Sequence, residues 1–304
     1  MKKLSIVIPC YNSAPNIAGM ETALLKLKQS LANYELEVVL VDDGSKDNTF
    51  ELLLQLSQRS PIKIKLVKLT GNFGSYNAFL AGLNHGSGDV YAQLHPDLQD
   101  PPEHLPQMLS FWEKGVPFVI AVRTAREESF LNQLFSSRYH RSMKKALPHI
   151  PEGGYDLIVF DKALRDHVVK MNESNTNLVY LISWLKYPYV TVPITRVARK
   201  EGKSQWTFSK KSKLWVDSIV SFSYAPIRLI SCTTLLINFI SIFFAAFFLF
   251  SDYWSTKNRF LLVGALIFGN ILLVFISIIG EYLWRTLEAA RNRPPFIAEK
   301  VIEN

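Results

Sequence analysis

Two long apolar segments near the carboxyl terminus constrain this chain more than any other feature. Residues 229–250 and 260–280 contain no charged side chain, and a short polar linker separates them. As α-helices rising 1.5 Å per residue, each would be roughly 32 Å long, enough to cross a hydrocarbon core of about 30 Å. The pattern predicts a hairpin of two membrane spans, although a helical hairpin buried in a soluble core would have the same composition.

Lysine and arginine residues are distributed unevenly around the two segments. Because the positive-inside rule places the more basic flanks in the cytoplasm, we expect the large amino-terminal domain and both termini on that side. The predicted location is thus the inner or plasma membrane. Seven basic residues flank the pair of segments: Lys210, Lys211, Lys213, Arg228, Arg285, Arg291 and Arg293. The linker between the segments contains two, Lys257 and Arg259.

Composition excludes several other classes of protein. With 48% apolar and 20% charged residues in 304, the chain is not intrinsically disordered. Its two cysteines, Cys10 and Cys232, exclude a disulfide scaffold and a cysteine zinc site. The net charge of +8 comes mostly from residues 196–213, next to the first apolar segment. No nucleic-acid-binding motif is recognisable, so we expect no nucleic acid partner.

Strands and helices alternate in the amino-terminal part. Residues 4–9, 37–42, 62–69, 89–94 and 118–123 read as strands, several of them almost continuously apolar, with helical spacing between them. This alternation predicts an α/β fold with a mostly parallel sheet covered by helices on both faces. We expect this domain over residues 1–208, the hairpin over 227–286, and a cytoplasmic tail over 287–304. The prolines at 294 and 295 mark the start of a short mobile part of that tail. Residues 209–226 read as an amphipathic helix, either in the membrane interface or packed on the domain.

Polar motifs follow several predicted strands, where ligands of parallel sheets bind. A carboxylate at Asp42 could accept hydrogen bonds from a nucleobase or ribose, although an Asp-Gly-Ser sequence is more often only a turn. Asp97 could ligate a hard divalent cation. The glycines of residues 71–74 would let backbone N–H groups approach a phosphate. Arg123 and Arg138 could bind phosphates, and Asp156 is a candidate carboxylate near an acceptor.

Taken together, these motifs resemble a known family. The segments VIPCYN (7–12), VDDGSKDNT (41–49), GNFGSYNAFLAG (71–82), PDLQDPPE (96–103) and RKEGKSQWTFSKK (199–211) occur in order and at matching intervals, ahead of two terminal spans. The chain is similar to the inverting glycosyltransferases of family 2, and within it to the polyprenyl-phosphate sugar transferases of the dolichol-phosphate mannose synthase and bactoprenol glucosyltransferase type.

The resemblance implies a GT-A fold, a nucleotide-sugar donor, Mg²⁺ or Mn²⁺, and a polyprenyl phosphate acceptor. It favours a UDP-sugar and undecaprenyl phosphate, and it suggests a homo-oligomer. It also implies roles for individual residues. Donor-binding roles fall to Pro9, Tyr11, Asn12, Asp42, Asp43, Gly71, Asn72, Arg199 and Ser204; metal-binding roles to His95, Asp97 and Gln99; and catalytic roles to Asp97, Arg123 and Arg138. Asp156 joins the catalytic candidates as a carboxylate near the acceptor, not through the resemblance.

Three positions depart from the pattern that the resemblance implies. His95 replaces the first acid of the Asp-x-Asp motif, and imidazole ligates Mn²⁺ more readily than Mg²⁺. Gln205 follows Ser204 where many relatives have lysine, and Asp156 stands where many have arginine. Three alternatives remain open at this point: a membrane glycosyltransferase with another acceptor, a catalytically weak scaffold subunit, and a basic membrane-binding module without an active site.

Overall fold

The computed structural model describes residues 1–123, 155–171, 178–195 and 294–304, together with isolated positions elsewhere. The chain divides into one unit formed by Met1–Ser218 with Pro294–Asn304, and a second formed by Ile219–Arg293. In the part of the chain that is described, no helix is both long and apolar enough to cross a membrane. The predicted segment 229–250 and the predicted helix 209–226 lie almost wholly outside the described residues, and segment 260–280 is described only at scattered positions.

The first unit alternates strands with helices, as the sequence predicts. The central strands coincide with runs of apolar residues. Described strands are β1 (Lys2–Cys10), β2 (Tyr34–Asp42), β3 (Lys63–Leu69), β4 (Val90–Gln93), β5 (Phe118–Arg123), β6 (Tyr155–Asp161), β7 (Tyr189–Ile194) and β8 (Ala298–Glu303). Described α-helices are α1 (Ile17–Ser30), α2 (Thr49–Arg59), α3 (Ser75–His85), α4 (Leu105–Glu113), α5 (Lys162–Lys170) and α6 (Leu178–Trp184).

All eight described strands form one sheet in the order β7-β5-β6-β4-β1-β2-β3-β8. Strands β4, β1, β2 and β3 run parallel to one another, and β5 is parallel to β7. Strand β6 is antiparallel to β4 and β5, and β8 is antiparallel to β3. The predicted α/β fold with a mostly parallel sheet is confirmed.

Both faces of the central strands are buried, which explains their uninterrupted apolar sequences. Along β1, Ile6 and Ile8 belong to the core on one face, whereas Val7 belongs to the core on the other. Helix α3 packs so closely on the second face that a Cβ added at Gly82 would lie 2.2 Å from Val7 Cγ1. The helices thereby fix the strands from both sides, and the loops at the strand ends are held on a rigid base.

The carboxyl terminus corrects one prediction. A mobile tail was predicted from residue 294 onwards, but Ala298–Glu303 forms β8 at the edge of the sheet. The side chain of Asn304 also accepts a hydrogen bond from Ile64 N (2.6 Å) and donates one to Ser57 O (2.7 Å). The last residues are therefore part of the domain, although Ile219–Arg293 separates them from it in sequence.

Candidate functional site

The carboxyl ends of β4, β1, β2 and β3 lie side by side and form the candidate site. Strand β1 lies between β4 and β2, so the chain order reverses on either side of it. Ligands of open parallel sheets bind at such a switch point. Two backbone hydrogen bonds join the strand ends across it: Leu94 N donates to Val7 O at 3.1 Å, and Asp43 N donates to Cys10 O at 2.9 Å.

Side-chain hydrogen bonds connect the loops that follow β1 and β2. Asn12 has a left-handed backbone conformation (φ 48°), in which Asn is one of the better-tolerated residues. Its Oδ1 accepts a hydrogen bond from Lys46 N (2.8 Å), and its own N–H donates to Ser45 Oγ (3.0 Å). Ser13 N donates to Thr49 Oγ1 at 2.8 Å. The structure therefore brings together Tyr11, Asn12 and the loop after Asp42, as the sequence predicts for a shared site.

Asp42 is the most deeply buried of the described candidate carboxylates at this edge, with 1% of its surface exposed. Its Oδ1 accepts a long hydrogen bond from Ser45 N (3.3 Å), and among the described residues its buried Oδ2 has no hydrogen-bond partner. Burial raises the pKa of Asp42 above its usual value, against the opposing effects of Ser45 and Lys68. A buried acceptor without a partner is costly, so this oxygen is suited to accept an N–H or O–H from a ligand.

Asp43 holds the loop that follows β3. Its two carboxylate oxygens accept hydrogen bonds from Phe73 N (2.7 Å) and Gly74 N (3.0 Å). Burial raises the pKa of Asp43 to about 6, although these two N–H donors act to lower it. The carboxylate thus fixes residues 71–74, which we call the 71–74 loop, against the end of β2.

Gly44 allows this close approach, and alanine there is expected to disrupt it. Gly44 has φ +67°, and a Cβ at this position would lie 2.5 Å from Gly71 C and 2.8 Å from Asn72 N. Both contacts are with backbone, so the 71–74 loop must move away from Asp43. We expect Gly44→Ala to lower the melting temperature by several degrees and to weaken at least tenfold the binding of the nucleotide donor that the sequence predicts. Gly19→Ala is the control, since an added Cβ there meets nothing within 4 Å and the position lies in helix α1, so this variant should leave binding unchanged and should keep or slightly raise the melting temperature.

The segment that follows β4 carries the predicted metal ligands. Leu98 has φ 49°, and Leu98 N donates to His95 O at 3.2 Å, so the chain turns sharply between His95 and Gln99. Gln99 N donates to Asp97 Oδ1 at 3.4 Å. His95, Asp97 and Gln99 are all half-buried. In the described part of the chain, no group of three or more His, Cys, Asp or Glu side chains is arranged to hold a metal ion.

A single carboxylate with an amide and an imidazole nearby fits a cation that takes its remaining ligands from a substrate phosphate and water. Mg²⁺ is commonly bound in this way, through one or two carboxylates and the phosphates of a nucleotide. The described residues directly after β4 are compatible with such a shared site, and among the described residues no metal cage of protein ligands alone is formed.

The remaining candidates are described in part or not at all. Arg123 ends β5 and Asp156 lies near the start of antiparallel β6, so the backbone of both lies at the same edge as Asp97. The structure describes the backbone of these two residues but not their side chains. Arg138, Arg199 and Ser204 also lie outside the described residues. Sequence reasoning missed the hydrogen bonds of Asp43 to Phe73 and Gly74, because no local pattern links residues 30 positions apart.

Known proteins resemble this chain over nearly its whole length. Residues 5–164 match the family described as glycosyl transferase family 2. The uncharacterized glycosyltransferase YkcC of Bacillus subtilis is 32% identical, with 97% of this chain and 93% of the relative covered. The undecaprenyl-phosphate 4-deoxy-4-formamido-L-arabinose transferase of Photorhabdus laumondii is 29% identical, with 99% and 95% covered. The bactoprenol glucosyl transferase of Shigella phage SfII is also 29% identical, with 98% of each chain covered.

Solved structures share the fold at lower identity. Glucosyl-3-phosphoglycerate synthase from Mycobacterium tuberculosis superposes with a TM-score of 0.53 at 13% identity, covering 73% of this chain and 80% of that one. The mannosyltransferase PcManGT from Pyrobaculum calidifontis, solved with GDP-Man and Mn²⁺, gives a TM-score of 0.50 at 21% identity, covering 65% and 57%. These likenesses support the GT-A-like architecture of the first unit.

Proposed function

Since this chain belongs to glycosyltransferase family 2, we propose that it transfers a sugar from a UDP-sugar to a polyprenyl phosphate at the cytoplasmic face of a membrane. One observation carries the choice of acceptor. Two relatives that match this chain over 98% or more of its length are named for undecaprenyl phosphate and for bactoprenol. The favoured acceptor is undecaprenyl phosphate.

The donor site would occupy the carboxyl ends of β1 and β2. The Oδ2 of Asp42, which has no hydrogen-bond partner among the described residues, would accept a hydrogen bond from the N–H of a uracil ring or from a ribose hydroxyl. Pro9, Tyr11 and Asn12 would line the base and ribose. Backbone N–H groups of the 71–74 loop, which Asp43 holds in place, would approach the diphosphate together with the side chain of Asn72.

The diphosphate of the leaving group would be stabilised at the end of β4. Asp97, with His95 and Gln99, would hold Mg²⁺ or Mn²⁺, and such an ion would neutralise charge on the departing UDP. Four other residues would assist at the phosphates, the arginines by donating planar pairs of hydrogen bonds. These residues are Arg123, Arg138, Arg199 and Ser204.

The acceptor would need little activation by the protein. The second pKa of a phosphate monoester is near 6, so at neutral pH the headgroup is mostly a dianion and already a nucleophile. Its oxygen would attack the anomeric carbon in line with the leaving UDP, forming one C–O bond while the other breaks, and would invert that carbon. Asp156 would lie near this acceptor and contribute to its selection.

Membrane attachment would follow from the two apolar segments. In the second segment, the described positions Phe268 and Ile276 are helical, and their large apolar side chains are 60% and 61% exposed, as expected for a lipid-facing surface. Met1–Ser218 and Pro294–Asn304 form one compact unit, so in this proposal the chain between them would leave and return on the same side of the membrane. That path needs an even number of crossings, and the two apolar segments would supply two.

The test is an assay of the purified full-length chain with undecaprenyl phosphate and a panel of UDP- and GDP-sugars, with Mn²⁺, with Mg²⁺ or with a chelator. We expect one UDP-sugar to give a glycosyl phospholipid of inverted anomeric configuration, and we expect the chelator to stop its formation. Undecaprenol, which lacks the phosphate, and diacylglycerol are the control acceptors. Transfer to diacylglycerol would contradict undecaprenyl phosphate as the acceptor. If no donor were turned over, the result would favour the alternative that His95 suggests, a catalytically weak scaffold subunit.

A further inference from the structure

The carboxyl-terminal strand reaches the candidate site. Strand β8 is antiparallel to β3, so β8 begins where β3 ends. Thr70 N donates a hydrogen bond to Ile297 O at 3.0 Å, directly before the 71–74 loop. The strand that returns from residues 219–293 is thus attached to the chain that forms one wall of the site.

An irregularity in the pairing of β8 with β3 brings the side chain of Glu299 into contact with that of Lys68. Lys68 pairs with Lys300, but Leu69 pairs with Ala298, so Glu299 is an extra residue in β8. A bulge of this kind redirects a side chain. The Glu299 carboxylate lies 3.1 Å from Lys68 Nζ, which also lies 4.9 Å from the centre of the Phe50 ring. The lysine ammonium is therefore held between an anion and an aromatic face.

Lys68 in turn neighbours Asp42. The two are register partners on β3 and β2, so their side chains lie on the same side of the sheet. Burial raises the pKa of Asp42, and the positive charge of Lys68 acts in the opposite direction. The charge on Lys68 is thus felt at the buried carboxylate that we assign to the donor.

We propose that Glu299 is a positioning residue of the donor site: it holds Lys68 beside Asp42 and, with the Thr70–Ile297 hydrogen bond, fixes the chain that enters the 71–74 loop. The 71–74 loop would then be held from two directions, by Asp43 from β2 and by β8 from the edge of the sheet. This inference rests on the proposed donor site, and it requires neither a particular sugar nor a particular acceptor.

The strand supplies its own matched control. Glu303 also lies on β8, also pairs with a lysine of β3 at 3.1 Å (Lys65), and is 54% exposed at its side chain against 50% for Glu299. The Glu303 pair lies at the opposite end of β3 from the site. Both glutamates are about half exposed, and Lys65 keeps the buried Glu37 as a second counter-charge at 3.5 Å. Loss of either ion pair should therefore cost little stability, about 0.2–1 kcal/mol in general, whereas only the Glu299 pair adjoins the donor site.

The experiment compares Glu299→Gln with Glu303→Gln in the full-length chain, by titration with UDP and by the KM and kcat of sugar transfer. We expect Glu299→Gln to raise the dissociation constant of UDP and the donor KM about threefold, with kcat within twofold of the parent. Glu303→Gln should leave all three values unchanged, and the two melting temperatures should be alike. Equal effects of the two substitutions, or an effect of Glu299→Gln on kcat alone, would overturn the proposal.

A double substitution tests whether Glu299 acts through Lys68. Lys68→Met removes the charge but keeps most of the stem, and we expect it to weaken UDP binding at least as much as Glu299→Gln. Adding Glu299→Gln to Lys68→Met should then change binding no further, whereas additive effects would contradict a shared route. If the parent chain bound UDP but transferred no sugar to undecaprenyl phosphate, the proposed acceptor would be wrong, and the role of Glu299 in donor binding would still hold. Absence of UDP binding would overturn both.

Discussion

Replacing Asp97 with asparagine is expected to abolish sugar transfer and leave the fold intact. Asp97 is half-buried at the carboxyl edge of the sheet, in a sharp turn whose shape depends on backbone hydrogen bonds. Asparagine keeps the oxygen that accepts from Gln99 N but loses the negative charge that would bind a cation. Losing one electrostatic contributor to a transition state costs about 10²–10³ in rate, so we expect kcat to fall by at least that factor.

A carboxylate elsewhere on the domain serves as the control for this substitution. Asp166 lies on α5, is 42% exposed at its side chain and pairs with the neighbouring Arg165. Asp166→Asn should retain parental activity, and both variants should melt within about two degrees of the parent. If Asp97→Asn retained more than a tenth of the parental kcat at saturating donor, Asp97 would have no central part in the reaction.

Local sequence was sufficient for the central strands. Residues 118–123 were predicted as a strand and form one with those bounds. The strand predicted at 37–42 ends at Asp42 as predicted and begins three residues earlier, at Tyr34. Strands buried on both faces are continuously apolar and end at turn residues, so the signal is local. The same reasoning placed Asp42 correctly at a strand end, next to the end of β1.

Contacts between segments that are distant in sequence could not be predicted from local patterns. The sequence AEKVIE of β8 is mostly exposed and has no apolar run, so it forms a strand only because the edge of β3 offers unpaired backbone groups. The contact between Asp43 and the 71–74 loop likewise depends on β2 and β3 being neighbours. In both cases the determining partner is distant in sequence, and neither segment carries a pattern that identifies it.

The second large effect is expected at Glu37, at the end of the sheet opposite the candidate site. Glu37 on β2 is fully buried and accepts hydrogen bonds from Ser5 Oγ, Ser87 N (2.8 Å) and Ser87 Oγ (2.9 Å). Lys3 Nζ and Lys65 Nζ lie 3.3 and 3.5 Å from its Oε1. This carboxylate therefore joins the first residues of β1, β2 and β3 to the chain that precedes β4.

The charge of Glu37 should make stability depend on pH. Burial alone would raise its pKa, but the hydrogen bonds from Ser5 and Ser87 and the charge of Lys3 outweigh it and lower the pKa from 4.5 to about 2. Because the folded-state pKa is depressed, the contribution is complete above pH about 4.5 and is lost as the pH falls towards 2. A depression of this size corresponds to about 3 kcal/mol.

We therefore expect Glu37→Gln to lower the free energy of unfolding by about 3 kcal/mol at pH 7, because it leaves Lys3 and Lys65 without their buried counter-charge. Urea unfolding of the full-length chain, followed by tryptophan fluorescence at pH 7, 5 and 3, measures the difference, which should shrink at pH 3. Glu35→Gln is the matched control: Glu35 is on the same strand and also contacts Lys3, at 3.8 Å, but 56% of its side chain is exposed. It should change stability by less than about 0.5 kcal/mol. A loss for Glu37→Gln that stayed constant between pH 7 and 3 would show that packing, not the buried charge, stabilises this end of the sheet.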